Sequence, residues 1–183
     1  MKTTVRLIMG VSVGIGVFWF GCATAPKTAE DKAELGGKVQ AAIERAKKED
    51  AGMKRFFDES AGYAIFPTVG KGAIGIGGAY GKGELYEGKQ LMGYCDLTQG
   101  SIGLALGGQA YTELIFFETK GEVERFKSGK FTFAAQASAV ALKSGASANA
   151  KYADGVAVFT MSEAGLMYEA SVGGQKFRYR PKE

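Results

Sequence analysis

Histidine is absent from all 183 residues. The usual general base, the pH switch near neutrality and the commonest metal ligand are therefore missing together. Cys95 could serve as a nucleophile only beside a base, and it reads instead as a small buried hydrophobe. Asp96, in Tyr94-Cys-Asp-Leu-Thr-Gln-Gly100, is the best isolated carboxylate, and a turn or capping role accounts for it. Glu113 and Glu118 lie five residues apart on one predicted strand, so they point to opposite faces and form no acid–base pair. No metal-ligand cluster is visible. These absences point away from an enzyme and from a bound cofactor.

Two glycine motifs invite a nucleotide reading and fail it. Gly70-Lys-Gly72-Ala-Ile-Gly75 fits GxGxxG, but the following Ile76-Gly-Gly-Ala-Tyr80 makes a poor helix to receive a pyrophosphate. Gly83 and Gly88-Lys89 have P-loop spacing, but Gln90 stands where a magnesium-ligating Ser or Thr is needed. The basic residues suggest more. Lys71 and Lys82 fall in what read as Gly-rich turns at either end of one strand, and Lys120, Arg125, Lys127 and Lys130 surround a short predicted helix. Exposed backbone N–H groups beside lysines can hold a phosphate headgroup, although each lysine alone is also an ordinary solvating residue.

The elements that would position these residues follow from periodicity. Glu30–Glu59 is helical by its three- and four-residue apolar spacing, with Asp31 as the candidate cap and with Gly36-Gly37 and Gly52 as soft spots, at either of which it could divide into two helices. Its apolar stripe suits a protein core or, as the alternative, a membrane surface. Strands are expected at Tyr63–Val69 (an edge or irregular strand because of Pro67), Ile74–Tyr80, Leu85–Leu97 with a turn at Gly88-Lys89, Ile102–Leu106 and Tyr111–Phe117. A short helix, Glu122–Lys127, ends at Gly129. Strands Phe131–Leu142 and Val156–Met161 follow, and Leu166–Val172 with Gln175–Tyr179 reads as a hairpin across Gly173-Gly174. Gly72-Ala-Ile-Gly-Ile76 and Gly100-Ser-Ile-Gly-Leu104 form a weak internal repeat. With 28 glycines, about twice the ~7% norm, close approach and curvature are expected. The fold class is α+β: a strongly curved, mainly antiparallel sheet, a partial barrel, packed with an N-terminal helix and a short helix.

Lys2 and Arg6 precede an apolar stretch, Leu7–Phe20, that ends in Gly21-Cys22. This is the order of a secretory signal peptide. As a helix the stretch spans about 21 Å, short of a ~30 Å hydrocarbon core. Gly21-Cys22 resembles the end of a bacterial lipobox, which makes Cys22 the lipid-attachment residue; Trp19 and Phe20 stand where such sequences usually carry Leu and a small residue. An ordinary signal peptide cut at Ala23 or Ala25 is the alternative. The expected organisation is signal peptide 1–21, tether 22–30 and folded domain 31–183. Without residues 1–21, 21 basic residues face 19 acidic ones, too mild a balance for a nucleic-acid binder.

Ala61-Gly-Tyr-Ala-Ile-Phe-Pro-Thr-Val-Gly-Lys-Gly-Ala-Ile-Gly-Ile-Gly-Gly-Ala-Tyr-Gly-Lys-Gly83 resembles the SYLF domain family. So do Tyr94–Tyr111 running into Glu113–Phe117, Phe126-Lys-Ser-Gly129, and Gly165-Leu-Met167, together spanning Lys32 to Phe177. The resemblance implies lipid binding, which eukaryotic members perform on phosphoinositides beside the actin cytoskeleton, through an amphipathic helix and basic residues. Bacterial members are often lipoproteins. Anionic phospholipids are then the expected partner, with a periplasmic scaffold that binds a protein partner as the alternative. The expected location is the cell envelope, lipid-anchored and facing the periplasm, on the outer rather than the inner membrane. Neither nucleic acid nor nucleotide is expected as a partner.

Overall fold

The computed structural model describes residues 26, 28–72, 77–101, 109–133, 138–162 and 170–183. Cys22 and the strand expected at 102–106 lie outside them. Helix α1 (Ala29–Glu49) opens with a capping box: Thr28 accepts from the Asp31 amide at 3.0 Å, and Asp31 accepts from the Thr28 amide at 3.2 Å. The described domain thus begins ahead of the boundary expected at residue 31, because Thr28 and Glu30 belong to the cap and first turn. The chain breaks at Asp50 before α2 (Met53–Glu59), as Gly52 suggested. Burial alone would raise the Asp50 pKa, but amides of Ser147 (2.7 Å) and Gly52 (2.9 Å) donate to its carboxylate and hold it below the usual range. That carboxylate ties the helix break to the single 3₁₀ turn at Ala146–Ala148.

The strands are β1 (Gly62–Gly72), β2 (Gly77–Glu87), β3 (Gln90–Ser101), β4 (Gln109–Phe117), β5 (Ser138–Ala141), β6 (Val156–Ser162), β7 (Ala170–Ser171) and β8 (Lys176–Pro181), with helix α3 (Lys120–Lys127) between β4 and β5. Their order is β7-β5-β6-β4-β1-β2-β3-β8, antiparallel except for the β5/β6 pair. Eight strands laid flat at ~4.8 Å spacing would be about 34 Å wide. Yet β7 and β8, at opposite edges, are joined only by residues 172–175, a connection that reaches at most about 18 Å. The sheet must therefore curl until its edges approach. The Phe66 and Phe177 rings, on β1 and β8 with two strands between them, lie 5.8 Å apart. The result is an unclosed barrel, the curved α+β fold expected.

Both faces are covered. Residues alternate along β1: Tyr63 and Ile65 pack with α1, α2, Phe116 and Phe159, while Ala64 and Phe66 pack with α3 residues Val123 and Phe126 and with Phe131 and Phe177. The helix α1 stripe is committed to this core through Leu35, Val39, Ala42, Ile43 and Ala46. Glycine permits the closest strand approach at Gly93, where a Cβ would meet the Arg180 carbonyl at 2.1 Å. Gly129 ends α3 with φ of +69°, as the expected stop requires.

Several sequence expectations are corrected. Of the edge or irregular strand expected at Pro67, the irregular one is found: β1 is central, and its pairing slips between Ile65 and Thr68, so Pro67 sits where the ladder is already broken. β7 and β8 form no hairpin: β7 pairs with β5, and β8 with β3. Of the long strand expected at 131–142, residues 134–137 lie outside the described residues, Ser138–Ala141 are strand, and residues 131–133 show only an isolated bridge from Thr132 to Lys176. Asp96 lies mid-strand in β3, not in a turn. Lys71 and Lys82 lie within β1 and β2, not in turns.

Candidate electropositive face

The strand register assembles a charged face that spans three strands. Lys82 of β2 sits opposite Asp96 of β3, and Asp96 opposite Arg178 of β8. One rung further, Glu84, Tyr94 and Arg180 align; on the other side, Tyr80, Thr98 and Lys176 do so. Strand periodicity places these three rungs on one face. The Lys32 ammonium of α1 lies 5.5 Å from the Tyr94 ring centre. Lys176 and Arg178 are exposed, and Lys182 continues the row beyond the strand.

Asp96 organises this face. It is only 3% exposed. Tyr80 donates its hydroxyl to Oδ1 at 3.2 Å, and the Arg180 guanidinium stands 3.6 Å from Oδ2. Burial raises the Asp96 pKa above the ordinary carboxylate value, against the opposing pull of Tyr80, Arg180, Lys82 and Arg178. Glu84, on the same face, is likewise raised by burial and accepts from the Tyr86 hydroxyl at 2.6 Å. The two carboxylates lie beneath the surface while the cations stand above it. The face therefore presents positive charge to anything that approaches.

A pH dependence follows. Asp96 loses its charge as pH falls through a pKa above the ordinary value, so acidification makes the face more positive. The folded chain also takes up this proton more readily than the unfolded one, so for this group acidification toward the ordinary carboxylate range favours folding. Attraction to anionic vesicles should strengthen as pH falls from neutrality toward the ordinary carboxylate range. Asp96→Asn should bind at neutral pH about fivefold more tightly than the natural chain, from one uncompensated cation worth about 1 kcal/mol, and should show a shallower pH profile. Vesicle co-sedimentation across pH measures both; an unchanged profile in Asp96→Asn contradicts the role given to this carboxylate.

The basic residues singled out in the sequence are distributed differently. Lys82 lies on this face. Lys71 pairs through its backbone with Ala79 and Gln109. Lys120 opens α3 and Lys130 follows Gly129, both exposed. Arg125 pairs with Glu122 at 2.9 Å and lies over the Phe131 ring, and Lys127 binds Glu87 and Glu124. Arg125 and Lys127 thus have carboxylate partners of their own. The residues that the sequence reading did not single out are Lys176, Arg178, Arg180 and Lys182. Their signal is the alternation of basic and aromatic residues in Lys176-Phe-Arg-Tyr-Arg180.

The other candidate chemistry is placed as well. Cys95 is fully buried in the inner core, and burial pushes its thiol well up, so it packs as a hydrophobe. Gly70–Gly72 of the GxGxxG segment end β1 and β2 begins at Gly77; the rest of the segment lies outside the described residues. Gly88-Lys89 is the turn between β2 and β3, so no helix follows the P-loop-like spacing. Among the described residues, no group of three or more Cys, Asp or Glu side chains could hold a metal ion, and no helix is long and apolar enough to cross a membrane.

Fold and face together define a curved-sheet α+β domain with a basic face. Residues 98–183 match the model of the Ysc84 family, described as Las17-binding protein actin regulator. The chain is 28% identical over 156 residues to Beta cell expansion factor A of Aeromonas veronii, an alignment that covers 83% of this chain and 59% of that protein. The chain thus spans less than two thirds of the length of the curated relative it matches. The resemblance to the SYLF family read from the Gly-rich motifs is thus matched by the family model over residues 98–183.

Proposed function

We propose that this chain is an exported bacterial lipoprotein, acylated at Cys22, whose SYLF domain binds anionic phospholipid membranes without catalysing a reaction. The observation that carries the reading is the cluster of Lys82, Arg178 and Arg180 around buried Asp96, extended by Lys176. Guanidinium and ammonium groups on a firm strand scaffold suit phosphate headgroups, each adding about 1 kcal/mol near an anionic surface. Nothing in the arrangement selects one lipid species; phosphatidylglycerol and cardiolipin both meet its chemistry. The cell envelope, with the domain facing the periplasm from the outer membrane, is the location this reading requires.

The family description names a protein partner, and that favours a second reading in which the same face docks a protein as a scaffold. Vesicle binding by residues 23–183 separates the two. Co-sedimentation with phosphatidylglycerol vesicles supports the lipid reading, whereas no binding to anionic or neutral vesicles promotes the scaffold. Mass spectrometry of the protein from native membranes tests the anchor. The expected N-terminus is an acylated Cys22, without Trp19; a free N-terminus at Ala23 or Ala25 rules the anchor out.

A further inference from the structure

Pro26, four residues after Cys22, is buried. It shares a groove with Leu35 of α1, Pro67 and Thr68 of β1, and Tyr80 and Lys82 of β2. Two residues later Thr28 caps α1. The chain is thus held against the domain at Pro26 and again at Thr28, and only Ala23, Thr24 and Ala25 separate Pro26 from Cys22. That segment reaches at most about 14 Å when fully extended.

The attachment point adjoins the electropositive face. Lys82 lines the Pro26 groove and also faces Asp96. The rungs through Tyr80, Thr98 and Lys176, and through Lys82, Asp96 and Arg178, lead from the groove to the β8 edge. Of the acidic residues at this end, Glu34 pairs with Lys38 at 2.6 Å and Asp31 serves in the capping box, while Glu30 is exposed in the first turn of α1. Helix α1 lines the groove from Asp31 to Lys38, and its far end at Glu49 lies about 17 Å further along at ~1.5 Å per residue.

We infer that the anchored domain cannot stand off from its own bilayer, and that the Pro26 groove holds the electropositive face of β2, β3 and β8 against the anionic leaflet that carries the Cys22 lipid. This rests on the lipoprotein reading and adds to it an orientation and a restriction to the anchoring membrane. The short tether supplies proximity, and the cations at Lys82, Lys176, Arg178 and Arg180 select which side turns inward. A membrane opposite the anchoring one is out of reach of this face.

The test uses the full chain, purified with its acyl group and placed in vesicles that contain brominated phosphatidylglycerol. Trp19 is the only tryptophan in the sequence and leaves with the signal peptide. A single introduced tryptophan therefore reports contact with lipid. Thr98→Trp marks the face and Lys48→Trp the far end of α1, both at exposed positions. The expected result is that T98W is quenched several-fold more strongly than K48W. In 1 M salt, where the Debye length is ~3 Å, T98W should stay quenched with the natural tether and lose quenching when about twelve Gly/Ser residues are inserted after Ala23. Equal quenching of both reporters in acylated protein overturns the orientation but leaves the lipid attachment standing. An unmodified Cys22 in the same preparation overturns both.

Discussion

Phe116→Ala should lower the stability of the domain by about 3–5 kcal/mol, the largest effect expected of any single substitution considered. Phe116 is completely buried on β4. Its ring lies 5.4 Å from Phe56 and 4.9 Å from Phe57 of α2, 6.0 Å from Tyr63 of β1 and 5.8 Å from Phe159 of β6. Truncation opens a cavity where two strands and a helix meet, and the surrounding rings, fixed by their own strands and by α2, cannot collapse into it. Removal of the edge-to-face contacts adds to the transfer term. Urea denaturation followed by circular dichroism measures the loss as a lower midpoint at unchanged slope. A loss below about 1 kcal/mol would mean that α2 is not docked on this face as described.

Arg178→Glu with Arg180→Glu should weaken binding to anionic vesicles by about 30- to 1,000-fold, because two attractions of about 1 kcal/mol each are lost and up to two repulsions of similar size replace them. Fold integrity is separable from this effect. Arg178 is exposed and the Arg180 side chain is 43% exposed, so neither supports the core. Arg180 is one of three cations around Asp96, and its reversal leaves Lys82 beside that carboxylate. The variant should therefore retain its thermal transition while losing vesicle binding. The parallel variant Lys120→Glu with Lys130→Glu, at the two exposed cations flanking α3, should have a much smaller effect. If that variant instead abolishes binding, the α3 end is the membrane surface and the β8 face is not.

The fold was legible where local signals and tertiary pairing agree. The helix stripe from Leu35 to Phe57, the break at Gly52, the Gly88-Lys89 turn and the stop at Gly129 all follow from spacing and backbone preference. The failures share one cause: distant strands decide what a local motif becomes. Pro67 signals an edge or an irregular strand, and only the pairing shows which: β1 is central, with its register slipping there. Gly173-Gly174 signals a hairpin, yet curvature sends the segments on either side of it to opposite edges of the sheet. Glycines beside Lys71 and Lys82 signal turns, whereas they lie in strands; those beside Lys82 face crowded neighbours, as at Gly83, whose Cβ would meet the Ile65 carbonyl at 2.4 Å.

The same cause hid half of the candidate site. Lys82 and Asp96 were visible as individual residues, and Lys176-Phe-Arg-Tyr-Arg180 shows its two-residue alternation openly. What gives these residues a common face is the β2-β3-β8 register, and β8 reaches β3 only because the sheet curls. The absence of histidine and the burial of Cys95 were readable at once, because they depend on composition and on hydrophobic context rather than on pairing.

The most direct measurement of the central claim is the partitioning of residues 23–183 onto phosphatidylglycerol and phosphatidylcholine vesicles as salt rises from about 0.1 M to 1 M, across which the Debye length shrinks from ~10 Å to ~3 Å. Binding through the electropositive face predicts measurable affinity for phosphatidylglycerol alone, falling steeply with salt and absent in the Arg178→Glu, Arg180→Glu variant. Equal affinity for the two lipids, or affinity that salt and the double reversal leave unchanged, would contradict it.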